Sequence, residues 1–348
     1  MIAYLAQAVG APTPTLVLDA GPLPRQEDEL RTVLTTVRCW LEDHGHGHVL
    51  KFALVKPSPH PLFDLDYRFV QGLPGGTDRF DFRGSCGHSI LSSVLAADNL
   101  GWLPRLSPGN RIRVQVLNNG DHVVCEVDEA RRNSGNFTVH FLQGDGIPLG
   151  ELLLTGQARQ MLMTADGMQE ASLVATGNPY VFVDAASLGM ATQQELFTAG
   201  ETLYDRLLRI RTAASAVLGW PPESVFPKIA AVGAYTPGRL SVRAISVPSW
   251  HPTLALTGAT CLAAAAAIPG TVPARLLQQA GITADDITID TPASTTHVAA
   301  YLSGGDGEAS LQWVSVKGKH AHLNGPAPIN ELSSYLYRKD RTWQPLTV

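Results

Sequence analysis

The sequence carries little charge, and the charge it has is of the wrong sign for binding polyanions. Only 16% of its 348 residues are charged, and 26 Lys and Arg against 31 Asp and Glu leave a formal net charge of −5. Binding to nucleic acid or to an anionic membrane surface relies on a broad positive field. Neither partner is therefore expected, whereas 45% hydrophobic residues suffice for the large core of a folded enzyme.

Cysteines are also few, and none lies in a metal-binding motif. Cys39, Cys86, Cys125 and Cys261 are far apart, without a Cys-x-x-Cys pair. This spacing argues against a zinc ribbon or a disulfide scaffold. The three histidines that follow Asp43 alternate with glycine, which favours a solvated loop over a metal site. We expect no metal and no other cofactor.

Membrane and targeting signals are missing, as are several catalytic signatures. The most apolar window, residues 254–268, is too short and too interrupted by polar residues to cross a bilayer. The first residues carry no Lys or Arg before an apolar stretch, so we expect a cytoplasmic protein with reduced thiols. There is no Gly-x-Ser-x-Gly elbow and no phosphate-binding loop, which argues against a serine hydrolase and a nucleotide enzyme.

What the sequence does contain is an internal repeat. Residues 16–20, Leu-Val-Leu-Asp-Ala, return at 181–185 as Val-Phe-Val-Asp-Ala, and a helix-period pattern follows each copy. A strand then begins at Lys51 in one half and at Lys228 in the other. Next comes a turn of small residues with a cysteine, Cys86 or Cys261, before an apolar helix. These cysteines are 175 residues apart, as are Arg68 and Arg243 in the strands before them, whereas Lys51 and Lys228 are 177 apart; this indicates a duplication with a small insertion.

The repeat predicts an α+β fold built of two pseudo-symmetric domains. We place the N-terminal domain at residues 1–165 and the C-terminal domain at 166–332, with residues 333–348 available as an extra strand of the first. Each domain is expected to wrap a β-sheet or barrel around a central helix. The polar turns at the starts of the two helices would then face each other across an active cleft.

A cysteine at a helix start is favoured as a thiolate, and a substrate carboxylate can dock beside it. Cys86 and Cys261 are therefore candidates for proton transfer, against the alternative that both are buried fillers. Lys51 and Lys228 are candidate bases if they are desolvated at the cleft, or ordinary snorkelling lysines if not. The repeat also places His88 and His251 near the cleft.

Several motifs together resemble the PrpF family of 2-methylaconitate cis-trans isomerases and related tautomerases, which share the diaminopimelate epimerase-like fold. They are residues 177–185 (Gly-Asn-Pro-Tyr-Val-Phe-Val-Asp-Ala), 227–230 (Pro-Lys-Ile-Ala) and 257–262 (Thr-Gly-Ala-Thr-Cys-Leu). The resemblance implies a cofactor-independent proton transfer with Lys51 as the catalytic lysine. It also implies that residues 85–88 take the place of the family's Asn-Cys-Gly-Asn turn.

The resemblance gives a set of expected site residues. The catalytic groups would be Lys51, with Cys86, His88 or Cys261 returning the proton. The groups expected to bind substrate are Ser85, Gly87, Ser89, His251, Thr257, Gly258, Ala259, Thr260 and Lys317. Lys317 is included because residues 317–320, Lys-Gly-Lys-His, replace the family's Arg-Thr-Ala-Arg pattern.

One departure from the family bears on the substrate. The family's early Arg-Gly-Gly-Thr-Ser-Lys-Gly segment is replaced here by residues 17–23, which lack its cationic and hydroxyl groups. We therefore expect a substrate less charged than a tricarboxylate, such as an unsaturated amino-acid-like or keto-acid intermediate of a specialised pathway. Three readings stay open: a double-bond isomerase acting on a small carboxylate, a racemase or epimerase that uses two cysteines, and a binding scaffold without activity. A homodimer is an open possibility for the assembly.

Overall fold

The computed structural model of the protein describes residues 3–222, 224–246, 249–304, 309–327 and 329. The strands are β1 (Ala3–Ala8), β2 (Thr15–Asp19), β3 (Lys51–Pro57), β4 (Leu65–Gly72), β5 (Phe80–Asp81), β6 (Arg111–Val116), β7 (His122–Arg131), β8 (Ser134–Pro148), β9 (Gln160–Thr164), β10 (Gly167–Thr176), β11 (Asn178–Asp184), β12 (Lys228–Thr236), β13 (Arg239–Ser246), β14 (Ser249–Trp250), β15 (Ile287–Thr291), β16 (Ser294–Ser303) and β17 (Ser310–Pro326). The α-helices are α1 (Glu27–Asp43), α2 (Gly87–Asn99), α3 (Gln193–Thr198), α4 (Glu201–Val217), α5 (Leu256–Ala267) and α6 (Val272–Ala280).

The two halves of the chain repeat one topology, as the sequence predicts. Strands β2 and β3 are parallel and joined by α1, and strands β11 and β12 are parallel and joined by α3 and α4. In the first pair Thr15 lies opposite Lys51, and in the second Tyr180 lies opposite Lys228. In each half an antiparallel strand follows, β4 or β13, and then a buried helix leads to the next parallel strand.

In the first half the strands close into a barrel around α2. The order of pairing is β1, β2, β3, β4, β6, β7, β8, β17 and back to β1, which gives eight strands. Because α2 runs inside this ring, every residue from Gly87 to Asp98 is buried. A helix that is enclosed on all sides needs small or apolar residues around its whole circumference. The sequence of α2, rich in Ser, Ala, Leu and Val, meets that need.

The second half encloses α5 in a similar way. Strands β10, β11, β12, β13, β15, β16 and β17 pair in that order, and a bridge between Leu153 and Val174 lies beside β10. Strand β17 pairs with β16 of this half and with β8 and β1 of the first half. The proposed boundary between residues 165 and 166 falls in the turn between β9 and β10. The extra strand that we placed in residues 333–348 lies outside the described residues.

The outer helices bury one face each, as their apolar spacing predicts. Helix α1 buries Leu30, Val33, Leu34, Val37 and Leu41 against the sheet. The pattern in the second half is divided between two helices, because α3 ends at Thr198 and α4 begins at Glu201. These outer helices position the strands that carry the site.

Helix α5 is the most apolar of the α-helices that the structure describes, and α6 follows it after a short break. Within the described ranges no single helix is long and apolar enough to cross a membrane. The pair formed by α5 and α6, bent by 79°, reaches that length and composition only when both helices are taken together.

Candidate active site

Cys86 lies at the N-terminal end of α2, as predicted from its small-residue turn. It is the N-cap residue, with extended backbone angles of φ −139° and ψ 103°. Its carbonyl oxygen accepts hydrogen bonds from the backbone N–H groups of Ser89 and Ile90, at 3.0 and 3.1 Å, and from the Tyr67 hydroxyl at 3.1 Å. The thiol is therefore held at the positive end of a buried helix dipole.

The surroundings of Cys86 favour its thiolate form. Burial by itself would raise the pKa of the Cys86 thiol, but the positive charge of Lys51, hydrogen bonding from Ser89 and the charge of Lys228 together outweigh burial. The net pKa of Cys86 is lowered from its ordinary value. A thiol with a lowered pKa beside a lysine is suited to exchanging a proton near neutral pH.

Lys51 opens β3 next to the first turn of α2. It lies opposite Thr15, and the Thr15 Oγ1 is 2.8 Å from the Ser89 Oγ on that turn. The Lys51 side chain is buried, with the whole residue 7% exposed. Its Nζ has no hydrogen-bond or ion-pair partner among the residues that the structure describes. A buried amine left free in this way is available to a substrate.

His88 and His251 form a stacked pair beside these groups. Their ring centroids are 6.2 Å apart, with the planes inclined by 21°. Burial, and then the charges of Lys51 and Lys319, hold the pKa of His88 well below its ordinary value. Burial, and then the charges of Lys51 and Lys228, lower the pKa of His251 to about 3. Both rings are therefore neutral at physiological pH, and both nitrogens of His88 are buried without a hydrogen-bond partner in the described part of the chain.

Lys319 was not among the predicted site residues, but it is buried near the histidines. Its Nζ donates a hydrogen bond to the Thr296 Oγ1 at 2.6 Å, and burial lowers its pKa to about 8. Lys317, which we had expected to bind substrate, is exposed on β17. Lys319 is buried in place of Lys317 because β17 contains a β-bulge. Between Val316 and Lys319, β17 has one residue more than β8, and Gly318 has a φ of 68°. The bulge breaks the alternation of the strand and turns Lys319 inward.

Cys261 does not mirror Cys86. Helix α5 begins at Leu256, so residues 257–261 form its first turns rather than a turn before it. The Cys261 Sγ donates to the Val174 carbonyl oxygen at 3.2 Å, and burial raises the pKa of this thiol to about 12. The residue that occupies the N-cap of α5 is Ala255. The prediction that Cys261 exchanges a proton at a helix start is therefore not supported.

Two of the four other predicted residues on α5 lie at its start. The Thr257 Oγ1 accepts a hydrogen bond from Asn178, and a Cβ on Gly258 would lie 2.6 Å from the Tyr180 hydroxyl oxygen. Ala259 packs in the core, and the Thr260 hydroxyl bonds to the Leu256 carbonyl of its own helix. Thr257 and Gly258 thus remain site candidates, whereas Ala259 and Thr260 serve the interior of the barrel.

Asn178 joins the two halves at the site, and the sequence analysis did not identify that role. Its Nδ2 donates to the Ser85 carbonyl oxygen at 2.9 Å and to the Thr257 Oγ1 at 3.1 Å, and its Oδ1 accepts from the Ser85 N–H at 3.2 Å. The helix starts also touch, because a Cβ on Gly87 would lie 2.6 Å from the Leu256 Cβ. The positive ends of α2 and α5 therefore meet at one place.

Side chains that could bind a metal ion are not clustered in the described part of the chain. Across the described ranges there is no group of three or more His, Cys, Asp or Glu side chains placed to hold a metal ion. His44 ends α1, and its ring bonds to the Trp40 carbonyl oxygen at 2.8 Å. His46 and His48 follow in the loop.

Alkylation should reveal the influence of Lys51 on Cys86. In a Cys39→Ser background, which removes the exposed thiol, we expect iodoacetamide to modify Cys86 first and to leave Cys125 and Cys261 intact. The midpoint of the rate against pH should lie below the ordinary thiol value of about 8.5. Lys51→Met should raise that midpoint, because it removes the largest lowering charge. Mass spectrometry of the peptides provides the measurement, and an unchanged midpoint would contradict the pairing.

The buried histidines should make the protein sensitive to acid. Since the pKa of His251 is depressed to about 3, only the unfolded state takes up this proton below the unfolded pKa of about 6.5, so stability falls as the pH falls. When the pH is lowered from 6.5 to 5, the unfolding free energy of the wild type should fall by about 2 kcal/mol more than that of His251→Asn. His60→Asn is the matched control, since each ring accepts an N–H bond at 3.2 Å and His60 is exposed. Urea titrations at the two pH values test this; equal losses in His251→Asn and the wild type would refute it.

Removing the Asn178 bridge should weaken the contact between the halves. Asn178→Ala leaves buried partners on Ser85 and Thr257 unsatisfied, so we expect a loss of about 3 kcal/mol of unfolding free energy. Asn136→Ala, which removes an exposed bond to Glu129 and a half-buried bond to His320, should cost less than about 1 kcal/mol. Chemical denaturation measures both, and equal losses would argue against a bridging role.

The chain is similar in sequence to two enzymes with named reactions. The 3-methylitaconate isomerase of Eubacterium barkeri is 26% identical over 295 residues, which cover 73% of this chain and 77% of that protein. The 4-oxalomesaconate tautomerase of Pseudomonas putida is 23% identical over 275 residues, which cover 73% and 75%.

Solved structures share the fold. A methylitaconate-delta-isomerase superimposes with a TM-score of 0.67 at 22% identity, over 94% of each chain. A hydroxyproline epimerase of Agrobacterium vitis gives a TM-score of 0.58 at 15% identity, over 93% of this chain and 90% of that one. The predicted α+β, diaminopimelate epimerase-like fold is confirmed.

The family description "PrpF protein" matches residues 44–322, which is more than half of the chain. The matched range includes Lys51, the first turn of α2 with Cys86, and all of α5. The chain therefore belongs to the PrpF family, as its motifs predicted.

Proposed function

We propose that this protein moves a C=C double bond of a small unsaturated carboxylic acid by 1,3-proton transfer, with Lys51 as the base. The observation that carries the proposal is the placement of the buried Lys51 beside the first turn of α2, where Cys86 is the N-cap and Ser89 lies 2.8 Å from Thr15, the residue opposite Lys51. The charge of Lys51 also lowers the pKa of the Cys86 thiol. The predicted class of enzyme, an isomerase, is confirmed. A place in a specialised pathway stays a prediction.

The pair supplies both groups that the reaction needs. Lys51 and Cys86 share one labile proton, and when Cys86 holds it as a thiol the Lys51 amine removes a proton from the allylic carbon, so that the electron pair moves through the double bond into the conjugated carboxylate. The Cys86 thiol then gives a proton to the carbon at the other end of the allylic system. Lys51 now holds one proton more and Cys86 one fewer, so a proton passed from the ammonium to the thiolate resets the enzyme.

The developing negative charge has preorganised partners. The first N–H groups of α2 and α5 have no acceptor within their own helices, and the two helix starts meet at Gly87 and Leu256. Together with Lys228 and Lys319, they offer positive potential to a dienolate and to the substrate carboxylate. This local charge matters because the protein as a whole is acidic.

The two alternatives receive less support. A racemase that uses two thiols needs a second proton donor at the cleft, but α5 carries Ala255 at its N-cap, and Cys261 lies inside the helix with a raised pKa. An inactive scaffold predicts that Lys51 lies outside the cleft, whereas it is buried beside the first turn of α2. Cys86 must stay reduced in the proposed reaction, which fits the cytoplasm and the four free cysteines of the chain.

Turnover in D2O tests the proposal. A panel of methylene- and methyl-substituted unsaturated dicarboxylates is incubated with the wild type and followed by proton NMR. We expect at least one member to change the position of its double bond and to acquire deuterium at an allylic carbon. The absence of both double-bond movement and exchange across the panel, at millimolar substrate, would refute the function.

A further inference from the structure

A cavity of about 200 Å³ lies between the two halves beside the catalytic pair. The first half contributes Leu50, Phe69 and Leu73 to its walls, and the second half contributes Val225, Phe226 and Ile245. Ser85 and Lys228 line the same cavity. Since Ser85 precedes Cys86 in the chain and the charge of Lys228 acts on the thiol, the cavity adjoins the reacting groups.

The longer polar side chains in the wall are already occupied. Gln71 donates to the carbonyl oxygens of Leu50 and Gly72, at 2.9 and 3.0 Å. Arg211 donates to the Pro227 carbonyl oxygen at 2.8 Å and also to that of Ser224. Asp81 is paired with Arg83, and Arg79 donates to the Pro74 carbonyl oxygen at 3.1 Å. These polar groups already have partners within the protein, so most of the cavity wall that a ligand would contact is apolar.

The part of the wall near the catalytic pair offers buried polar groups that are free. The Ser85 Oγ is buried and has no hydrogen-bond partner among the described residues, and the whole residue is 3% exposed. The Lys228 Nζ likewise has no hydrogen-bond or ion-pair partner there, and lies 6.0 Å from the centre of the Phe226 ring. An occupant would thus meet a cation and a hydroxyl at one place and apolar surface elsewhere.

We propose that this cavity binds an apolar substituent of the substrate, so that the enzyme acts on a small unsaturated acid that carries an alkyl or aryl group. This inference rests on the proposed function, because it places the acidic part of the substrate at Lys51, Cys86 and Lys228. At roughly 30 Å³ for each water-sized group, the cavity holds about six or seven such groups. That is room for a butyl chain or a phenyl ring, and more than a methyl group requires.

Saturated diacids test the cavity without any turnover. Calorimetry compares succinate, 2-butylsuccinate and 2-benzylsuccinate on the wild type, on Leu73→Trp and on Val225→Phe, two variants that fill the cavity from opposite halves. Leu302→Trp is the control, because Leu302 is 43% exposed and lies outside the cavity wall. We expect the substituted acids to bind the wild type and the control at least about tenfold more tightly than succinate. Both filled variants should lose that preference and keep their affinity for succinate.

Two results would overturn the inference. One is equal affinity of the wild type for all three acids. The other is a preference that survives in both filled variants, or affinities for all three acids that fall there by one common factor. The proposed function fails separately, through the absence of deuterium exchange in the unsaturated panel, so the two failures can be told apart.

Discussion

Lys51→Met is expected to lower kcat/KM by between about 10² and 10⁴, the range for the loss of a general base. Methionine keeps the length of the side chain, so it preserves packing beside Thr15 while it removes the amine. The matched control is Lys56→Met on the same strand, where the ammonium lies 3.5 Å from Asp66 and away from the pair. Initial rates on the best member of the panel measure both variants.

The control variant should keep kcat/KM within about twofold of the wild type. A Lys51→Met enzyme with wild-type kcat/KM would show that another group removes the proton. Circular dichroism and the midpoint of urea unfolding separate a chemical loss from a failure to fold, since methionine at this buried position should not lower stability.

Cys86→Ala is expected to lower kcat by about 10² or more, whereas Cys261→Ala should leave kcat within about twofold. The two cysteines are the pair that the repeat suggests as equivalent, so this contrast separates isomerisation with one thiol from racemisation with two. Cys125→Ala is the control for burial, because burial raises the pKa of that thiol, like that of Cys261, to about 12.

Cys261→Ala should instead cost stability, since it removes a buried sulfur that bonds to the Val174 carbonyl. A cost of about 1 kcal/mol is expected from urea titration. If Cys261→Ala and Cys86→Ala both lost activity while remaining folded, the result would favour the alternative hypothesis of a racemase that uses two cysteines.

The repeat and the barrel helices could be predicted from the sequence because they depend on local patterns, whereas the choice of Lys51 with Cys86 also drew on the resemblance to the PrpF family. Alternating or continuous apolar strands, small residues on an enclosed helix and a lysine at a strand start are all visible in the chain. Cys86 marks the start of α2 because Gly84 and Ser85 precede it in a turn. The match to the PrpF family over residues 44–322 agrees with the fold that these patterns predict.

The register of the second helix could not be predicted in this way. The starts of β3 and β12 are 177 residues apart and those of β4 and β13 are 174 apart, yet α2 begins at Gly87 and α5 at Leu256, only 169 residues apart. The segment between β13 and α5 is five residues shorter than the one between β4 and α2, so a cysteine in the matching register lies inside the helix. The small residues that resemble a turn are helical here, and the Tyr180 hydroxyl leaves no room for a side chain at Gly258.

Lys319 and Asn178 escaped prediction because their roles depend on tertiary structure. A simple strand alternation gives Lys317 and Lys319 the same face, and only the bulge at Gly318 separates them. The bonds of Asn178 reach Ser85 and Thr257, 93 and 79 residues away in the chain. No local pattern reports contacts of that kind.

The central claim is that Lys51 removes the allylic proton and Cys86 returns one to the other carbon. The most direct test incubates the substrate with the Cys86→Ala or the Lys51→Met variant in D2O. NMR then measures how fast deuterium replaces the allylic proton in substrate that has not been converted. We predict that Cys86→Ala exchanges the allylic proton of the substrate much faster than it forms product, while Lys51→Met exchanges it at least about 10²-fold more slowly than the wild type. Exchange in Lys51→Met at the wild-type rate would contradict the account.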